Sequence, residues 1–273
     1  MLASYLIQPG NIELRDVDKP RPSVGEILVN VKAALTCGTD LKAFQRGHPM
    51  IPMPGMFGHE FSGVIAETGK GVKDFKTGDE VMAVHSAPCL KCEYCRKKLY
   101  NLCENIMNTK VLGAFAEYIL LPSHIVRQNL FHKPANLSFE EAALLEPLAC
   151  VVHGMSGLKI KKDSKILILG SGPIGLLHMS IAKLHGADVM VCGRKKERLG
   201  FAEELGADSI ATAKELPAET KLFTSGMGFD YVFECTGQLD VWEASINYVR
   251  RGGTVVLFGG VKSGAKASYD THR

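Results

Sequence analysis

The alternation of apolar and polar positions changes character along the chain. The first 35 or so residues read as strands, broken at Pro9-Gly10 and at Pro20-Arg21-Pro22. Glu26 to Lys32 largely alternates, as a half-buried strand does. Ala33 to Gly58 reads as a loop-rich segment with a proline-heavy run from His48 to Pro54. Val64–Thr68 is a predicted strand, Gly69 to Val72 a turn, and Phe75 to Met82 a turn feeding another strand. Alternation returns between Gly113 and Pro122. Short strands at this spacing predict a small β-barrel-like domain.

Helical signals begin at Leu137. The stretch to Leu148 opens on Ser138 with Glu141 three residues on, the spacing of a capping box. Pro147 marks its limit or a kink, and Val151 to Leu158 continues as a second helix. From Lys165 the pattern becomes strand, helix, strand, helix. The predicted strands are Ile166–Leu169, Asp188–Cys192, Ser209–Ala211, Asp230–Glu234 and Thr254–Phe258. The predicted helices are Ile174–His185, Lys195–Leu205, a poorly marked one near Glu215–Thr224, and Leu239–Tyr248. That succession is a doubly wound parallel sheet, so the fold class is α/β.

The turn between the first of these strands and its helix is Gly170-Ser171-Gly172-Pro173-Ile174-Gly175, a G-x-G-x-x-G. The first glycine permits the tight turn, the second admits a pyrophosphate to the backbone, and the third lets helix and strand pack closely. The helix N-terminus offers free N–H groups and the positive end of a dipole. Such a motif alone is weak, but here it follows a strand, opens a helix and is succeeded by a second strand. It reads as a dinucleotide site. Cys235-Thr236-Gly237 and Gly259-Gly260 stand at the carboxyl ends of later strands, where ligands bind in such sheets.

Composition narrows the class without adding chemistry. The chain has 273 residues, 46% apolar and 22% charged, with a net charge of +3, enough for one large globular domain or two ordinary ones. No basic block points to nucleic acid, and no apolar run approaches the ~18 residues that span a membrane. The N-terminus lacks the pattern of a signal peptide, so a soluble cytoplasmic protein is expected.

Four of the eight cysteines crowd into Cys89, Cys92, Cys95 and Cys103, a C-x2-C-x2-C-x7-C pattern. In a reducing compartment such a cluster means metal more often than disulfides. Four thiolates close a tetrahedral shell with no open position, which is the arrangement of a structural zinc. The alternative is a set of free buried thiols. A nucleic-acid zinc module fits less well, because no recognition helix is framed by the cysteines. Arg96-Lys97-Lys98 reads as solvated lobe surface.

Taken together, Cys37-Gly38-Thr39-Asp40, Gly58-His59-Glu60, the four-cysteine lobe, Glu146-Pro147-Leu148 and the glycine fingerprint resemble the zinc-dependent alcohol and polyol branch of the medium-chain dehydrogenases. The likeness covers essentially the whole chain. It implies a GroES-like β-barrel catalytic domain over residues 1–153 and a Rossmann dinucleotide-binding domain over 154–273. It also implies one catalytic zinc held by Cys37, His59 and Glu146, with Glu60 as a carboxylate beside it or a further ligand, and one structural zinc at the four cysteines. Three protein ligands leave a coordination position open. Glu146 in an E-P-L context is closer to sorbitol and threonine dehydrogenases than to the ethanol enzymes. The implied reaction is hydride transfer from a small-molecule alcohol to nicotinamide, with zinc as Lewis acid and the Thr39 hydroxyl carrying the proton away. Lys42 stands where many relatives have a histidine that passes this proton on.

The cofactor is expected to contact Gly170, Gly172, Pro173, Ile174 and Gly175, then Gly193, Arg194 and Arg198, and at the later strand ends Cys235, Thr236, Phe258 and Gly259. Enzymes that use NAD place a carboxylate at the end of the second strand, where this chain has Gly193 followed by Arg194-Lys195-Lys196. Arg194 offers a planar charged fork to a 2′-phosphate, so NADP(H) is expected over NAD(H). An Asp installed at Gly193 is expected to shift that preference. The family's sheet has six strands, and the ending from Val261 to Arg273 shows no sixth-strand pattern. The Rossmann domain is therefore expected to be incomplete, and the homo-oligomer of the full-length family does not carry over directly. Zinc-dependent oxidation of a polyol or other secondary alcohol is the leading expectation. The alternatives are a zinc-free reductase of the same fold and a non-catalytic nucleotide-binding fragment.

Overall fold

The computed structural model describes residues 1–270. Two compact units divide the chain, Met1–Pro147 and a second from Leu148 onward. The division falls inside a helix, a few residues ahead of the expected boundary.

In the first unit, β1 (Leu2–Gln8), β2 (Asn11–Asp16), β3 (Ile27–Leu35), α1 (Gly38–Arg46), β4 (Gly55–Met56), β5 (Glu60–Thr68) and β6 (Glu80–Val84) follow in order. Then come α2 (Glu93–Arg96), β7 (Tyr118–Leu121), α3 (Ser123–Asn129), β8 (Leu130–His132) and α4 (Phe139–Ala142). The strands form two antiparallel sheets, ordered β2-β1-β4 and β7-β3-β5-β6-β8. An antiparallel bridge pairs Ala3 of β1 with Ala116, two residues ahead of β7. Ile27, Val29, Phe61, Ile65, Val81, Ile119 and Leu121 alternate inward and close the core.

Helix α1 lies where the sequence reads as loop. Its cap explains the oversight: Cys37 Sγ accepts from the Thr39 N–H at 3.4 Å, and Asp40 accepts from the Cys37 N–H at 2.9 Å. This is a capping box with cysteine in the serine position. The expected helix from Leu137 to Leu148 also divides. Ser138 and Glu141 form their capping box around α4 (3.1 and 2.7 Å), a turn follows at Ala143-Leu144, and α5 spans Leu145–Met155. Pro147 therefore sits in the first turn of α5, where its missing N–H has no intrahelical partner to lose.

The second unit alternates β9 (Lys165–Leu169), α6 (Pro173–Leu184), β10 (Asp188–Cys192), α7 (Lys196–Glu204), β11 (Ser209–Ala211), α8 (Leu216–Phe223), β12 (Phe229–Glu234), α9 (Leu239–Ser245) and β13 (Val249–Leu257). The strands are parallel, in the order β11-β10-β9-β12-β13. Ile166 and Ile168 of β9 enter one core with Val189, Val191 and Met179, while Leu167 and Leu169 enter the opposite one with Met190 and Phe229. Both faces are covered, which is why these strands read as unbroken apolar runs. Each such side chain contributes about 1.5–3 kcal/mol on burial. The tail shows no sixth strand through Asp270, and its last three residues lie outside the described ones.

Candidate functional site

Three elements bring Cys37, His59 and Glu60 together, with one ligand atom of each within 4.8 Å of the others. Cys37 caps α1, and Glu60 opens β5 directly after His59. Gly58 turns the chain into this position with a φ of +88°, and a β-carbon there would press on the Phe115 ring at 2.8 Å. His59 and Glu60 are 7% and 5% exposed, deep enough for electrostatics to be strong.

Asp40 underpins the group. It is 2% exposed, and its Oδ1 lies 3.4 Å from His59 Nδ1 without the alignment of a hydrogen bond. Burial disfavours the charged imidazole, but the close acceptors Asp40 and Cys37 outweigh it and hold the His59 pKa up at about 10. Burial, reinforced by the charge of Glu146, raises the Glu60 carboxyl against the pull of His59. His85 packs edge-on against His59 with centroids 4.9 Å apart, and burial plus repulsion from His59 and Lys110 lowers its pKa to about 4. The cluster thus holds excess anionic potential around a buried imidazole and a half-buried thiol. A proton answers that potential, and a divalent metal answers it better, so the donor set fits zinc.

Glu146 is not part of the tight trio. Its carboxylate lies 3.8 Å from His85 Nδ1, and its charge reaches Glu60. Thr39 stands in the first turn of α1 next to Cys37.

The four cysteines also converge, all within 4.8 Å of one another. Backbone N–H groups of Lys91 and Cys92 point at Cys89 Sγ (3.5 and 3.4 Å), and that of Cys89 at Cys103 Sγ (3.2 Å). The first two hold the Cys89 pKa down at about 6, while desolvation pushes Cys95 up to about 12. Thiol donors turned inward and cradled by amides suit a closed structural zinc shell.

In the second unit a cleft of about 840 Å³ opens beyond the strand ends. Gly170, Gly172, Gly193, Arg194, Arg198, Cys235 and Thr236 all line it. It lies at the junction of β9 and β12, where the strand order reverses. A β-carbon on Gly175 would fall 1.8 Å from the Gly170 carbonyl oxygen, so α6 can approach β9 only with glycine there. One on Gly172 would meet nothing within 4 Å beyond its chain neighbours, which leaves that side of the turn open to a phosphate. Pro173 begins α6, Ile174 packs into the core, and Phe258 stacks edge-on with His178. Gly259 lies against the Gly237 backbone. The cleft fits a dinucleotide.

The alcohol dehydrogenase GroES-like domain matches residues 23–130, and the zinc-binding dehydrogenase domain matches residues 173–272. A sorbitol dehydrogenase of Halalkalibacterium halodurans is 33% identical over 257 residues, 92% of this chain and 74% of that protein. The chain belongs to the zinc-dependent medium-chain dehydrogenase family. Within that alcohol and polyol dehydrogenase family, a D-arabitol-phosphate dehydrogenase of Enterococcus avium is 37% identical over 264 residues, 92% of this chain and 73% of that protein. Among solved structures, a protein described as a zinc-binding dehydrogenase of Sinorhizobium meliloti, bound to NADP, aligns with a TM-score of 0.88 at 33% identity. It covers 98% of this chain and 79% of that one.

Sequence reasoning missed several residues of this dehydrogenase. Asp40 carried a usable signal, the cap spacing from Cys37. His85 carried none. Glu234, fully buried at the end of β12, accepts from the Thr236 and Gly237 N–H groups (2.7 and 3.1 Å) and from the Thr236 hydroxyl. It shapes the turn that lines the cleft. Ser171, Gln238, Asp240 and Tyr248 also line it. No helix among the described residues is long and apolar enough to cross a membrane.

Proposed function

We propose that this chain oxidises a polyol or other secondary alcohol by hydride transfer to a nicotinamide cofactor, NADP(H) in preference to NAD(H). The observation that carries the reading is the trio of half-buried Cys37 and buried His59 and Glu60, backed by Asp40. These residues, with Glu146 joining from beside His85, would hold a zinc ion, which when bound supplies Lewis acidity toward the alcohol oxygen. Asp40 Oδ1 stands 3.4 Å from His59 Nδ1, and its charge there would favour ligation through Nε2. The Thr39 hydroxyl would accept the alcohol proton while giving up its own toward solvent. Cys89, Cys92, Cys95 and Cys103 would hold the second, structural zinc.

The glycine turn and the start of α6 receive the pyrophosphate. Arg194 and Arg198, with Lys195 in the same cleft, give the ribose end a cationic surround in which, among the described residues, Asp240 is the one carboxylate lining. That balance supports a 2′-phosphate, as does the NADP held by the Sinorhizobium neighbour. The names of the sorbitol and arabitol-phosphate relatives support a polyol. A screen of polyols, vicinal diols and amino alcohols with both cofactors tests the reading, alongside zinc analysis. The expected result is zinc-dependent turnover with kcat/KM higher for NADP; a clear NAD preference or turnover in zinc-free protein would sink it.

A further inference from the structure

The segment that joins two of the donors, Cys37 and His59, carries a concentration of positive charge. From Leu41 to Gly58 it holds Lys42, Arg46 and His48 and no Asp or Glu. Lys42 and Arg46 stand four residues apart on α1, so their side chains share a face. Lys42 is half-buried and Arg46 exposed, and neither takes part in an ion pair among the described residues. Gly47, with a φ of +80°, turns the chain back, its N–H donating to the Ala43 carbonyl at 2.9 Å. An antiparallel bridge between His48 and Ile51 closes the next turn, and Ile51, 2% exposed, anchors it in the core beside Ala43. His48 is thereby held with the two cations. Burial, and then the charges of Lys42 and Arg46, lower its pKa. Its Nδ1 accepts from the Met50 N–H at 3.3 Å, which leaves the Nε2 proton as a donor.

The dipole of α1 accounts for one cation here, since Arg46 occupies the last turn. It does not account for three donors gathered without a carboxylate in the segment. A guanidinium fork, an ammonium and an imidazole N–H match the oxygens of a phosphate monoester. Lys42 lies about 7.5 Å along the axis of α1 from Cys37. A short polyol spans a comparable distance. We propose that Lys42, Arg46 and His48 form a phosphate site, so that the alcohol oxidised at the trio is a polyol bearing a terminal phosphate ester. The ester takes no part in the reaction and serves to orient the carbon chain. This rests on the reading of the reaction above and names its substrate class.

Steady-state kinetics with pentitols, hexitols and their terminal phosphate esters tests this. The best ester should exceed its parent polyol in kcat/KM by about 100-fold or more, the worth of one or two charge-assisted hydrogen bonds. Arg46→Gln should lower kcat/KM for that ester about tenfold, through KM, and leave the parent polyol, the KM for NADPH and the unfolding midpoint close to wild type. Lys42→Gln should fall about tenfold harder on the ester than on the polyol. An ester used no better than its polyol, or an Arg46→Gln loss shared equally by both, would overturn the proposal. A loss confined to the KM for NADPH would overturn it too, and assign the cations to a cofactor phosphate. If neither polyol nor ester is oxidised, the reading of the reaction falls. Calorimetric binding of the same esters then decides the phosphate site alone: about tenfold weaker binding by Arg46→Gln sustains it, and equal binding removes it.

Discussion

The two metal-donor clusters are built on opposite plans. The four thiols lie within Cys89 to Cys103, on a lobe with its own short helix and with amides aimed at the sulfurs. The trio Cys37, His59 and Glu60 draws three different donor types from a helix cap, a loop and a strand start. Its depth is supplied by Asp40 and His85, neither of which belongs to it. A local, single-chemistry shell is complete in itself and suits a structural ion. A mixed set leaves coordination open and needs neighbours to orient it. On the proposed reading the first cluster bears on stability and the second on turnover.

The sharpest break would come at the lobe. Cys95→Ser should remove one zinc equivalent and destabilise the first unit by more than about 4 kcal/mol, read as a lowered unfolding midpoint. Unchanged stability would erase the distinction. Next, His59→Ala should cut kcat/KM by about a thousandfold or more with its unfolding midpoint close to the parent's. A variant that unfolded as readily as Cys95→Ser would make the trio structural too.

Asp40→Asn probes the support beneath His59. It should cost about 10–100-fold in zinc affinity or activity, since Nδ1 loses its charged partner. Equilibrium dialysis against a zinc indicator measures this. The smallest effect is expected away from both clusters. Burial opposes ionisation of Asp230, but the Arg250 guanidinium (2.6 Å) and the Lys165 N–H (2.8 Å) outweigh it and hold its carboxyl below the ordinary 3.8. A depressed carboxylate contributes stability above its unfolded pKa and loses it as pH falls further. Asp230→Asn should thus cost about 1–2 kcal/mol at pH 7 and progressively less below about pH 4. Denaturant titrations at the two pH values would show it, with both zinc equivalents retained.

Much of the second unit was legible because its signals are short-range. Asp188–Cys192 and Ser209–Ala211 run as the apolar patterning predicts, and β9, β12 and the helices differ only at their ends. β13 begins earlier than expected, at Val249, because Arg250 and Gly252 mask the pattern that pairing with β12 imposes. Helix α1 was missed because its cap uses a cysteine sulfur.

By itself the sequence determined the parallel sheet, the glycine turn and the four-cysteine lobe. Each is written in residues a few positions apart, where periodicity and spacing act directly. Only the tertiary structure decided that Asp40 and His85 stand beside His59 and that Glu146 lies outside the tight trio. Those are contacts between segments that the backbone brings together through space. A one-dimensional pattern carries no record of which side chains will then share the same few ångströms.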